Sequence, residues 1–229
     1  MLAKAAGSVN ASNVLRLPLP GDELIFPGVG KGKIQGWQAD PTALLDARLG
    51  EVRPGVERTL AGVLTVCLKM LQTDHCLHHA LYGLFMFGVK PLDLAERESY
   101  ATELLTRWSN SQAVTEPVER LLARIALDEA IHSLIHRPTA SRDSWWGKVQ
   151  YLARATLDEA VEAARRAGHE VFTQALWGPY KSVRVSTERD IQADTGSVPP
   201  GEVLACLRVA ATIDGRAYPG RVLYRSTGV

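Results

Sequence analysis

Five of the six histidines fall in two short stretches, His75, His78 and His79 in one and His132 and His136 in the other. Imidazole nitrogen suits zinc, iron or manganese, and Glu129, three positions before His132, would add a carboxylate oxygen. Position on a helix decides whether these groups can converge. At about 100° per residue, Leu60, Leu64, Cys67, Leu71, His75, His78, Tyr82 and Phe85 share one face, so two histidines lie in an apolar seam. His79 sits roughly 80° away, at the seam's edge, where truncation to alanine is expected to matter little unless metal is bound. Further along, Val118, Leu121, Leu122 and Ile125 share a face that Glu129, His132 and His136 continue. If the two faces meet, His75, His78, Glu129 and His132 make a mononuclear site for zinc, iron or manganese, with a bound water as the reactive position. The competing expectation carries more weight. Leu127, Ile131, Leu134 and Ile135 lie on the opposite side of that stretch, so Glu129, His132 and His136 can simply form a polar face, with His75 and His78 as core histidines.

Glu129-x-x-His132 also has the spacing of carboxylate-bridged two-metal bundles, in which such residues project inward together. Those bundles need two such pairs, and this chain has one. A two-metal site is therefore excluded.

The elements that would carry these side chains are marked by their end signals. A first helix is expected from about Glu57 to Phe87, closed by Gly88 with Pro91 beyond. A second starts at Asp93, with Glu96 three residues on as a capping box, and runs to about Ser109. A third begins after Thr115 with Pro117 in its first turn and ends before Pro138. A fourth runs from about Ser141 to Ala167 and stops at Gly168. Short links between four such helices predict an antiparallel bundle over residues 57–168. Residues 1–56 are broken by Gly and Pro into an extended, irregular segment, with a short helix from Pro41 to Leu49. Residues 169–229 change character. Val183-Arg184-Val185 alternates, and apolar residues occupy every second position from Val203 to Ile213. Asp214-Gly215 then precedes Arg216 to Arg225, a hairpin signal because both central residues of that turn need positive φ. The expected fold is mainly α: a helical bundle with a small C-terminal antiparallel sheet.

Other chemistry is thinner. Gly28-Val29-Gly30-Lys31-Gly32-Lys33-Ile34 falls one residue short of a Walker A loop, and Ile34 has no hydroxyl for magnesium. Lys31 and Lys33 can still meet phosphates. From residue 203 onward four arginines face one aspartate, giving the C-terminal hairpin a charge of +3. Arg216, Arg221 and Arg225, with Tyr218 and Tyr224 nearby, are candidates for single-stranded nucleic acid through charge and stacking. Charge on an edge strand that blocks aggregation is the competing expectation. No GxSxG elbow is present. Cys67 lies in the apolar seam, where burial makes a thiol inert. Of the adjacent Trp145 and Trp146, about 100° apart on a helix, one should bury inside the bundle.

With 26 Lys and Arg against 25 Asp and Glu, neither a polybasic nucleic-acid arm nor an acidic tail dominates. Three unpaired-looking cysteines and the lack of a secretory signal point to the cytoplasm. Lys69, Gln72, Asp74 and the histidines interrupt the most apolar stretch, so no membrane span is expected. The resulting expectation is a non-enzymatic assembly subunit that docks on other proteins and contacts nucleic acid through its basic hairpin. In outline it resembles the helical small subunits of RNA-guided effector complexes, without a shared residue motif. The alternative is a metal-dependent enzyme with its site inside the bundle.

Overall fold

The computed structural model describes residues 45–227, apart from 75, 76, 87, 138, 141–143, 195 and 197. It also describes the backbone of 23–26 and 30–33, and of Trp145 only the backbone. Near the N-terminus, β1 (Glu23–Phe26) and β2 (Gly30–Lys33) pair as an antiparallel hairpin. The first four residues of the expected Pro41–Leu49 helix lie outside the described residues. Its end is a 3-10 turn, Ala47–Leu49, capped by Asp46, whose carboxylate accepts from the Arg48 N–H.

Helix α1 (Val56–Thr73) buries Leu60, Leu64, Cys67 and Leu71 on the expected face, and Ala61, Val63, Val66, Leu68 and Met70 around it, so the core wraps most of the helix. It does not continue to Phe87. The chain leaves the helix at Asp74 and forms β3 (Leu77–His79), then a turn, then β4 (Lys90–Pro91). Strand β3 pairs on its other edge with β5 (Leu134–His136), Leu77 opposite His136 and His79 opposite Leu134. The third predicted helix is cut short by the same pairing. A helical spacing read through residues 75–85 fails because β5 offers a partner 57 positions downstream, and no local pattern reports that. The buried hydrogen bond between His136 Nε2 and Asp74 Oδ2, 2.8 Å, fixes the end of α1 to β5.

The remaining helix ends follow their local signals. Helix α2 (Leu94–Ala113) starts with the Asp93 carboxylate accepting from the Glu96 N–H, and α3 (Pro117–His132) has proline in its first turn. Helix α4 (Trp145–Arg166) opens on Ser144, whose hydroxyl accepts from the Gly147 N–H. It closes with Gly168 N–H on Arg165 O and His169 N–H on Ala164 O. That paired closure puts Gly168 at φ 97°, a conformation that favours glycine. The four helices pack α2–α3–α4–α1 around one apolar cluster, built on Leu64, Leu68, Leu104, Leu127 and Trp146 among others.

The C-terminal part is less simple than one antiparallel sheet. Strand β6 (Val171–Gln174) pairs with β9 (Ala210–Ile213), which pairs with β10 (Arg216–Tyr218). A second sheet has β11 (Arg221–Arg225) between β7 (Ile191–Ala193), parallel to it, and β8 (Val203–Arg208), antiparallel. The alternating run from Val203 to Ile213 is therefore two strands in two sheets, broken at Val209. Gly220 marks the matching break on the return path. A Cβ there would sit 2.7 Å from Leu176 Cδ1 and 2.9 Å from the Ala210 nitrogen, so only glycine lets the crossing segments touch. The Asp214-Gly215 turn forms as expected, with φ of 50° and 77°. Val183-Arg184-Val185 is not a strand. Pro179 starts a short helix, α5 (Tyr180–Val183), followed by a 3-10 turn. With five α-helices, three small sheets beyond the N-terminal hairpin and 21% strand, the described fold is mixed α/β rather than mainly α. The C-terminal strands share a core with the middle of the chain: Leu204, Leu207 and Leu223 pack with Ala80 and Ile135.

Candidate functional site

Glu129 and His132 sit one turn apart at the end of α3, and the structure gives them different neighbours. The Glu129 carboxylate lies 3.2 Å from Arg221 Nη1, 3.6 Å from Arg208 Nη1 and 3.9 Å from Arg107 Nη1. His132 Nδ1 instead donates to the Asp128 carbonyl at 2.9 Å, with Asp128 Oδ1 at 3.2 Å. His78 lies half-buried on β3, on the face opposite Leu77 and His79, and His75 lies outside the described residues. Among the described residues no group of three or more His, Cys, Asp and Glu is placed to hold a metal ion. A carboxylate engaged by three arginines is a poor candidate ligand, because the same charge that would attract a cation already has partners.

His79 departs furthest from its expected role at the seam's edge. It is 0% exposed, edge-on to Tyr100 at 5.2 Å between ring centres. The Leu81 N–H donates to its Nδ1, so Nε2 carries the proton and donates to Glu96 Oε2 at 3.2 Å. Burial lowers its pKa below the ordinary value; Glu96 opposes that, and Lys90 and His78 add to it. The folded protein therefore holds neutral histidine more strongly than the unfolded chain does. Stability from this group is complete above the unfolded value of about 6.5 and is lost as pH falls from there toward the lower folded value. Denaturant midpoints measured from pH 8 down to pH 5 are expected to decline over that window, and His79→Gln to decline less. Equal slopes would remove His79 as the cause. His79→Ala is also expected to destabilise, since it empties a buried site and strips Leu81 N–H of its acceptor.

The nucleic-acid candidates separate as well. Lys31 and Lys33 fall on β2, whose side chains are outside the described residues. Arg216 is exposed, its guanidinium 5.2 Å from the Tyr218 ring centre. Arg225 is half-buried and donates to the Val198 carbonyl. Arg221 is 0% exposed and donates to the Ala80 and Arg189 carbonyls. It cannot touch a polynucleotide; it joins the C-terminal sheet to α3 and the turn after β3. An arginine on a short strand reads as surface charge, and only the tertiary placement of Arg221 beside Glu129 and Ala80 reverses that.

A cavity of about 540 Å³ opens between the end of α3, β5, the first half of α4, the segment after β6, and β8. Four residues of α4 spaced as neighbours on one face, Gly147, Gln150, Tyr151 and Arg154, line one side. Leu134, Ile135 and Leu204 form an apolar floor, and Trp146 and Trp177 supply aromatic wall. His132, His136 and Lys148 complete the polar part, and Ala205 and Cys206 of β8 border the same side as Leu204. The volume lies in the roughly 300–1,000 Å³ range of sites that take small molecules.

Asp128 organises this wall from behind. Its Oδ2 lies 2.8 Å from Arg154 Nε, and its other contacts orient His132. Burial alone would raise the Asp128 carboxyl, but Arg154 and His132 beside it outweigh that and hold it below the usual carboxylate range. Arg154 reaches further, Nη2 donating to the Cys206 carbonyl at 3.1 Å and Nη1 lying 3.5 Å from its Sγ. Cys67, by contrast, is fully buried in the helical core, and burial pushes its thiol far up. Sequence reasoning named His132 and His136, and Trp177 as an aromatic candidate for more than core, but not Asp128 or Arg154, and gave Cys206 no role at a site. Asp128 and His132 at i and i+4 were the available signal; Arg154 and Cys206, 52 positions apart, had none.

No protein-family model, no curated protein and no solved structure matches this chain. No helix among the described residues is long and apolar enough to cross a membrane.

Proposed function

We propose that this chain is a non-enzymatic interaction subunit that recognises an anionic ligand in the pocket between α4, β5 and β8. One observation carries the reading: Arg154 and Lys148 line the cavity, and among the described residues no carboxylate does. Asp128 offsets part of the Arg154 charge from outside the cavity, but also locks the guanidinium in place, which reduces the ordering cost of binding. In a partly apolar site a fixed cation holds an anion more strongly than it would in water. This moves the contact expected of the C-terminal hairpin to the opposite end of α4 from the Asp214-Gly215 turn.

Inorganic pyrophosphate is a suitable probe, titrated calorimetrically into the full chain. Saturable binding is expected. Lys148→Glu, at an exposed position of α4, should weaken it about tenfold, and Ala205→Phe, which fills the cavity from β8, should abolish it. Thermal melts without ligand establish that both variants fold. Absence of binding to the parent, or unchanged binding in both folded variants, would refute the reading.

A further inference from the structure

We infer, resting on that reading, that the anion is carried on a planar aromatic body, the chemistry of a nucleotide. The cavity is far larger than a bare inorganic anion needs, and its composition is uneven. Its cations lie on α4, at Lys148 and Arg154. Its accessible aromatic surface is Trp177, half-buried on the segment that follows β6, while Trp146 on α4, 2% exposed, backs the wall from the helical core. Tyr151 stands 73% exposed on the same helix, one turn before Arg154.

Leu134, Ile135 and Leu204 make the surface between these groups apolar. A ligand that is charged throughout would leave those walls unused, and a wholly apolar one would strand Arg154 and Lys148 without a counter-charge. A planar ring with a phosphate satisfies both. Gln150, on the same face of α4, offers both a donor and an acceptor, which suits the hydrogen-bonding edge of a nucleobase. Aromatic side chains accept any base by stacking, so the site's preference is for a nucleotide rather than for one base. The same chemistry arrives either as a free mononucleotide or as one unit of a single strand.

Tryptophan fluorescence and calorimetry on the full chain separate the contributions. Adenosine and uridine monophosphates are expected to bind at least about tenfold tighter than either pyrophosphate or the corresponding nucleosides. Trp177→Ala should lower nucleotide affinity about tenfold, in line with the cost of losing one stacking platform, and leave pyrophosphate binding unchanged. Should that variant fail to fold, Tyr151→Ala at the exposed position serves, with a smaller loss in the same direction. Nucleotides binding no tighter than pyrophosphate would overturn this inference and leave the anion reading standing. Failure of every anion to bind would overturn both. A short single-stranded oligonucleotide identifies the source once nucleotides bind: tighter than the monomer for a strand, no tighter for a free nucleotide.

Discussion

Replacing Arg221 with methionine is expected to cost about 3–5 kcal/mol of folding stability, the usual effect of breaking a buried ion pair from one side. The side chain is 0% exposed, yet three of its contacts are polar. Nη1 donates to the Ala80 carbonyl at 2.6 Å and to Glu129 at 3.2 Å, and Nε donates to the Arg189 carbonyl at 3.0 Å. Burial pulls its guanidinium pKa below the ordinary value, with Glu129 opposing, and the group still stays charged. Methionine fills comparable space but leaves two carbonyls and part of a buried carboxylate without a donor. Arg208 and Arg107, at 3.6 and 3.9 Å from Glu129, can take up only some of that charge. The double variant Arg221→Met, Glu129→Leu removes the orphaned carboxylate and should recover part of the loss. Urea unfolding of parent, single and double variants measures both effects. A single-variant loss under about 1 kcal/mol would mean that β11 is not held to α3 in this way.

Leu71→Ala should destabilise by about 2–5 kcal/mol. Leu71 is 2% exposed near the end of α1, within the cluster that joins all four long helices. Removing its branched end opens a cavity that neighbours on separate helices cannot close without moving their own contacts. The position is also close to Asp74, where the helix stops and the hydrogen bond to His136 begins. Local collapse there would disturb the β3–β5 pairing, which argues for the upper part of the range. Denaturant midpoints with an unchanged slope would report a pure stability loss, whereas a reduced slope would report a loosened native state.

The parts of the fold that were legible in the sequence are those in which a residue acts on its own neighbours. Asp93 capping α2, Pro117 in the first turn of α3 and Gly168 closing α4 each act within a few positions, and each appears where expected. The face of α1 from Leu60 to Leu71 was also legible in its period, although the fold buries most of the helix's other sides too. The Asp214-Gly215 turn belongs with them, because positive φ at both residues is a property of that pair alone.

What the sequence by itself determined is therefore the identity of the long helices, the starts of α2 and α3, the close of α4, one core-facing side of α1, and one tight turn. Only the tertiary structure decided where α1 ends, because the strand after it depends on β5, far along the chain. Tertiary packing also split Val203 to Ile213 between two sheets and buried Arg221 beneath Glu129 and Ala80. The pocket is the extreme case. His132, Arg154 and Cys206 come from a helix end, a helix face and a strand, with Asp128 holding the first two in place. Helix caps and periods are local free-energy preferences and survive in a one-dimensional reading. Strand partners, buried charge and cavities are set by which distant segments exclude water together, and that is a property of the folded chain.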